Sequence, residues 1–172
     1  MVTVREMTEA DIRAVSAIRV TGWKAAYAGI LPRSYLDGMT VEADARRRRQ
    51  HVTRPRHGVA DLVAVDAGGA VVGWACLGPC RSADTTSGTA AELYALYVQP
   101  ALIGSGIGRT LLEAVHARAL GHGFDQVLLW VLTGNMPARS FYERAGYVPD
   151  GAVQADDYDG VSVPELRYRR AL

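Results

Sequence analysis

Glu92-Leu93-Tyr94-Ala95-Leu96-Tyr97-Val98-Gln99-Pro100, followed by Ile103-Gly104-Ser105-Gly106-Ile107-Gly108-Arg109-Thr110-Leu111-Leu112, is the stretch that decides how this chain folds. After Glu92 the first run is apolar on both faces as far as Val98, the pattern of a central strand covered on both sides. Glycines at 104, 106 and 108 then remove side chains where a backbone must approach something closely. Ile107, Leu111, Ala114 and Val115 share one face of the helix that follows, which stops at Gly121-His122-Gly123. Strand, glycine-rich turn and helix make an anion site, because the free amides of the helix start point at the bound group, and phosphate is the usual anion. The spacing G-x-G-x-G followed by Arg109 fails the dinucleotide pattern G-x-G-x-x-G. No Gly-Lys-Ser/Thr is present, so an NTPase phosphate loop is excluded as well. On these residues alone, a plain glycine-rich turn that binds nothing stays open.

Working outward, Gln126 to Leu132 reads as a second buried strand. Asn135 then caps a helix with Pro137 in its first turn and Gly146 just past its end. Short runs around Tyr147-Val148 and from Ser162 to Tyr168 close the sheet. Upstream, Val2 to Arg5 is an edge strand, and Thr8-Glu9-Ala10-Asp11 has the capping-box pattern. Ile12, Val15 and Ile18 mark a half-buried helix running towards Trp23 and Tyr27, and Leu31-Pro32 breaks it. A second helix is expected from about Thr40 to Val52. Ala60 to Val65 and Ala70 to Leu77 form a hairpin around Ala67-Gly68-Gly69. Strands alternating with helices in the second half argue for an α/β or α+β domain with some parallel pairing. The 172 residues carry no repeat or low-complexity break and read as one domain, residues 1–172.

Composition excludes several classes. Nineteen Lys and Arg balance eighteen Asp and Glu, so the net charge of +1 predicts neither a nucleic-acid binder nor a membrane-surface protein. The longest apolar runs, such as 127–132, fall far short of the roughly 18 residues of a membrane span. The start has no apolar signal core, and two cysteines make no disulfide framework, so the reducing cytoplasm is the expected compartment.

The two glycine-turn runs resemble the acetyl-CoA-binding motif of the GNAT superfamily of N-acetyltransferases. Downstream, Asn135-Met136-Pro137-Ala138-Arg139-Ser140-Phe141-Tyr142-Glu143-Arg144-Ala145-Gly146-Tyr147 is similar to that family's second signature, N-x-x-A-x-x-F-Y-x-x-x-G-F/Y. The stretch Trp23 to Pro32 resembles one bacterial branch. The resemblance thus spans nearly the whole chain. It implies a central mixed β-sheet with helices on both faces, the acyl-CoA N-acyltransferase fold, and direct transfer of acetyl from acetyl-CoA to a primary amine without a covalent enzyme intermediate. Leu96, Tyr97, Val98, Ile103 to Thr110, Asn135 and Ala138 are the implied cofactor contacts. The Val98 amide is the implied donor to the thioester carbonyl, with pantetheine between strands 92–98 and 126–132. Ile103 stands where the family's pattern has Gln or Arg, so weakened rather than absent cofactor binding is expected.

The resemblance also names the chemistry. The amine must lose a proton and the leaving thiolate gains one. Glu92 is the implied general base, directly or through water. Its apolar neighbours Ala90, Ala91 and Leu93 are expected to desolvate it partly. Tyr142 is the implied general acid, and Phe141 and Tyr142 are expected to face different sides of their helix. Trp23, Tyr27 and Tyr94 are candidates for the acceptor side, since aromatic faces hold an ammonium at about 0.5–2 kcal/mol each. The acceptor is a small-molecule or peptide amine, and related domains often dimerise, so a homodimer is compatible. A catalytically silent acyl-CoA sensor, or an O-acyl or longer-acyl transferase, are the alternatives on the same fold.

Other features read as ordinary structure. Arg46 to Arg49 fan around a helix and are expected to be a solvated surface. Cys76 and Cys80, and histidines 51, 57, 116 and 122, lack zinc-site spacing, so no metal is expected. Asp156 to Gly160 is an acidic hairpin turn. The loop from Gly78 to Gly88 could close over the acceptor.

Overall fold

A computed structural model describes residues 1–54, 56–82 and 89–172. The larger part of the loop expected to cover the acceptor, residues 83–88, lies outside them. In chain order the elements are β1 (Thr3–Glu6), α1 (Ile12–Ala26), α2 (Arg33–Asp37), α3 (Val41–Thr53), β2 (Ala60–Val65) and β3 (Val71–Pro79). They continue with β4 (Ala90–Val98), α4 (Ile107–Gly121), β5 (Gln126–Leu132), α5 (Met136–Arg144), β6 (Val148–Tyr158) and β7 (Val161–Ala171). The seven strands form one mixed sheet in the order β1-β2-β3-β4-β5-β7-β6.

β4 and β5 are the parallel neighbours, and every other adjacent pair is antiparallel. Their pairing is short, from Ala90 opposite Gln126 to Leu93 opposite Leu129. Beyond Leu93 the two strands part. β4 stays on β3, but with a bulge that leaves Tyr94 unmatched between Leu93 and Ala95, and a bulge bends its strand. β5 stays on β7 to Leu132 opposite Glu165. The sheet therefore opens at its middle.

Helices cover both faces. On one, α4 buries Leu111, Leu112, Val115 and Ala119 against Leu62, Ala75, Leu93 and Leu129. Each buried Leu or Val there contributes about 1.5–3 kcal/mol. α5 lies on this face too, through Ala138, Phe141, Tyr142 and Ala145. On the other, Val15 of α1 packs on Val63, Trp74 and Cys76. Trp23, Tyr27 and Tyr35 pack with Leu132 and Tyr158 in a separate cluster.

Local signals explain most ends. Asp11 accepts from the Thr8 amide at 2.8 Å and holds Arg5, which completes the expected cap. Asp66 accepts from the Gly68 and Ala70 amides and closes the β2–β3 turn. Thr40 caps α3 through the Ala43 amide.

Three expectations are corrected. Arg48 is not on a solvated surface: its side chain is 12% exposed, bonds Asp44 at 2.7 Å and lies 4.1 Å over the Trp74 ring. Arg46, Arg47 and Arg49 are exposed. β6 and β7 are 11 residues each, far longer than the runs read from sequence, and meet at a tight turn through Asp159 and Gly160, both at positive φ. β6 was hard to read because it is an edge strand, mostly exposed, with Pro149 and Gly151 around a bulge. The short helix α2 was unanticipated. The acidic residues 156–160 do form the expected hairpin, and Asp159 also accepts from Ser34 at 2.7 Å.

Candidate active site

The parting of β4 and β5 opens a cavity of about 1270 Å³ that runs from the start of α4 to the aromatic cluster beside α1. That exceeds the roughly 300–1000 Å³ of ordinary ligand pockets and suits two substrates end to end.

At the first end the chain turns through Gly104 and Gly106, both at φ +90, into α4. A Cβ at either position would meet open space, so backbone conformation rather than crowding requires glycine there. Gly108 is different: it has no positive φ, and a Cβ there would make only ordinary contact with Phe141 at 3.4 Å. Among the described residues the amides of Gly106, Ile107, Gly108 and Arg109 meet no backbone or side-chain acceptor. Four free donors at a helix start favour an anion. Ile103 is 71% exposed and lines the cavity beside this cradle. Arg109 pairs with Glu113 at 3.0 Å along the helix, and both line the cavity. Arg144, which the sequence did not single out, lines it as well.

In the gap, the Gln99 amide donates to Val72 of β3. Amides alternate along a strand, so that of Val98 faces the opposite edge, into the opening. Asn135 caps α5 through the Ala138 amide and also lines the cavity. Tyr142 lines the cavity, and burial raises its phenol above the ordinary value, so it stays protonated. Phe141 does not face away as expected. It lines the same cavity, edge-on to Tyr142 with centroids 5.2 Å apart. Behind Tyr142 stands Tyr147, 1% exposed, with its hydroxyl 2.8 Å from His116 Nε2. Arg170 donates to His116 Nδ1 at 3.1 Å, so Nε2 carries the proton. Burial and Arg170 push this imidazole down to about 4.

Of the expected cofactor contacts, Leu96, Tyr97, Val98, Ile103, Gly104, Gly106, Gly108, Arg109, Asn135 and Ala138 line the cavity. Ser105, Ile107 and Thr110 do not: Ile107 is buried in the core, while the two hydroxyls bond Leu102 and Gly106 carbonyls.

Trp23, Tyr27 and Tyr94 all line the other end. Gly22 of α1 admits Tyr97 there, since a Cβ would stand 3.2 Å from its ring. The Tyr27 and Tyr97 hydroxyls are 3.0 Å apart. Two of the aromatic faces are already occupied, by Arg19 at 4.7 Å over Trp23 and by Arg81 at 4.2 Å over Tyr94.

Glu92 is 2% exposed and does not line the cavity. Its carboxylate accepts from the Arg81 backbone amide at 2.9 Å and from the Arg81 guanidinium at 2.6 and 3.2 Å. The apolar setting expected from its sequence neighbours is therefore replaced by an ion pair. Two polar residues outside the expected site also line the cavity, Glu165 and Tyr158, the latter within the acidic stretch 156–160, which could draw a cationic group but reads as a turn. Tyr158 ends the mostly exposed β6 and Glu165 lies on β7, and no motif marks either position.

The family model described as Acetyltransferase (GNAT) family matches residues 26–147. "Uncharacterized N-acetyltransferase YuaI" of Bacillus subtilis (strain 168) is 34% identical over 168 residues, 96% of this chain and 91% of that protein. The L-methionine sulfoximine/L-methionine sulfone acetyltransferase of Pseudomonas aeruginosa is 33% identical over 107 residues, 62% of this chain and 61% of that protein. Among solved structures, the phosphinothricin acetyltransferase of Sinorhizobium meliloti in complex with AcCoA superposes with a TM-score of 0.74 at 23% identity, covering 99% of this chain and 88% of that one. The chain belongs to the acetyltransferase (GNAT) family and is an acyltransferase.

Proposed function

We propose that the chain transfers acetyl from acetyl-CoA directly to a primary amine, with Tyr142 protonating the leaving thiolate. The observation that carries this reading is the continuous cavity joining the free amides of α4, the unpaired edge of β4 and the Tyr142 hydroxyl. Backbone amides from Gly106 to Arg109 would hold the pyrophosphate, with Arg144 near. Pantetheine would take the place of the missing strand pairing beyond Leu93, and the Val98 amide would donate to the carbonyl oxygen as negative charge develops on it. Holding amine and thioester together supplies much of the rate.

The raised phenol of Tyr142 suits an acid that must keep its proton until the thiolate forms. Glu92, the base implied by the resemblance, would act only through a water, because its carboxylate is sequestered outside the cavity and held by Arg81. The sensor alternative leaned on Ile103, yet the cradle is built from amides, so an isoleucine there costs little. No feature favours O-acyl or longer-acyl transfer.

Thiol release from acetyl-CoA in the presence of a primary-amine panel tests the reading. Tyr142→Phe is expected to lower kcat about 100-fold while acetyl-CoA affinity stays within about threefold, as calorimetry would show. An unchanged kcat in that variant would remove Tyr142 from the mechanism.

A further inference from the structure

Two carboxylates occupy the same face of the sheet near the acceptor end, and they are treated differently. Glu92 is bound by Arg81 and closed off. Glu165, on β7 opposite Leu132, is half-buried and lines the cavity. Among the described residues no Lys, Arg or His comes within ion-pair distance of Glu165. Its Oε2 accepts from the Gln154 side-chain amide at 2.9 Å, a neutral partner. Its neighbours include Tyr158, whose phenol it helps to raise, as well as Asp156, with Arg81 and Glu92 further charged groups around it. Tyr27, Tyr97 and Tyr158 share its part of the cavity. A half-buried carboxylate without an ion-pair partner among the described residues, walled by aromatic rings and with Arg81 committed to Glu92, is favoured by a ligand that brings a cation.

Resting on the acetyl-transfer reading above, we propose that Glu165 meets the acceptor: it receives the ammonium of a cationic primary amine and takes the proton that this amine must lose. The N–H bond breaks towards the Glu165 carboxylate, and that proton passes on to solvent. The nitrogen lone pair then forms the C–N bond as the C–S bond breaks. The second proton lost by nitrogen balances the one that Tyr142 gives to sulfur. The products are an amide, a thiol and one released proton. Burial and Asp156 raise the Glu165 carboxyl above the ordinary range, while Gln154 and Arg81 oppose them. Such a carboxylate is a stronger base than one in water. The substrate class follows: an amine that is an ammonium ion at neutral pH.

The test measures thiol release with alkylamines, diamines and amino-acid amides, all ammonium ions at neutral pH, and with methoxyamine, which is uncharged. In Glu165→Gln, kcat/KM for the ammonium probes is expected to fall about 100-fold, while methoxyamine loses less than about fivefold. The acidic bend of the wild-type pH profile should disappear. Glu165→Asp, which keeps the charge, should recover part of the loss, and acetyl-CoA affinity should hold within about twofold in both variants. Equal losses for charged and uncharged probes would overturn the proposal and make Glu165 structural. A selective loss in Glu92→Gln instead would return the proton to Glu92 and also overturn it. A wild-type protein that releases no thiol with any amine would sink the acetyl-transfer reading itself, and this inference with it.

Discussion

The two ends of the cavity are built in opposite ways. The anion end is local: one strand, one turn and one helix start, residues 92–109, supply its amides, and a further helix adds Asn135 and Arg144. The acceptor end is assembled from α1, β4, β5, β6 and β7, so Tyr27, Tyr97, Tyr158 and Glu165 meet only after the whole sheet has formed. Backbone geometry makes the first end, and side-chain convergence makes the second. A site that binds through amides tolerates exchange of side chains such as Ile103. A site that binds through a single carboxylate does not.

Substitutions can break this contrast in order of expected effect. Gly106→Val puts a β-branched residue at φ +90, a conformation costing an L-residue about 1–2 kcal/mol or more. Relief of that strain would turn the amides away, so acetyl-CoA affinity is expected to fall about 100-fold, measured by titration calorimetry, with the acceptor end intact. Affinity within a few-fold of wild type would show that the glycine turn is not the phosphate cradle.

A smaller effect belongs to the scaffold behind Tyr142. His116 is held neutral, with its imidazole near 4 in the folded state against about 6.5 unfolded. Between these values the unfolded chain binds the extra proton, so stability is complete above about pH 6.5, declines as pH falls towards 4, and levels off below. Thermal melts across this window should show Tm dropping with pH, and His116→Gln should flatten that slope. An equally steep slope in the variant would assign it to other groups, Asp11 excepted, because its carboxyl near 2 acts only below this window. The smallest change is Ile103→Arg. The side chain is exposed beside free amides, where a cation gains at most about 1 kcal/mol. Acetyl-CoA should bind up to about fivefold tighter at low salt, and the gain should shrink as salt rises. A loss of affinity would mean that the Ile103 side chain itself contacts the ligand.

The same contrast explains what could be read in advance. The glycine turn, the Asn135 cap, the Thr8–Asp11 cap and the Asp66 turn were legible because each is set by residues within a few positions of one another. Tyr142 was singled out through the signature around it, and it lines the cavity. Glu165 escaped notice because no local motif marks it: it is one polar position in a strand whose other residues carry no site signature. Its meaning depends on Leu132 and Tyr27, which are distant in sequence, together with Tyr158 across its own hairpin. Glu92 was misjudged in surroundings for the converse reason. Its sequence neighbours are apolar, but Arg81, eleven residues away on the far side of a loop, supplies the counter-charge. Arg48 repeats the lesson, since Asp44 is close in sequence while Trp74 comes from β3.

On the proposed reading the glycine turn before α4 is needed to hold acetyl-CoA and Glu165 is not. Calorimetric titration of wild type, Gly106→Val and Glu165→Gln with acetyl-CoA tests it most directly. Saturable one-site binding of equal affinity to wild type and Glu165→Gln, with a large loss in Gly106→Val, is the predicted result. No saturable binding to the wild type, or the same weakening in both variants, would contradict it.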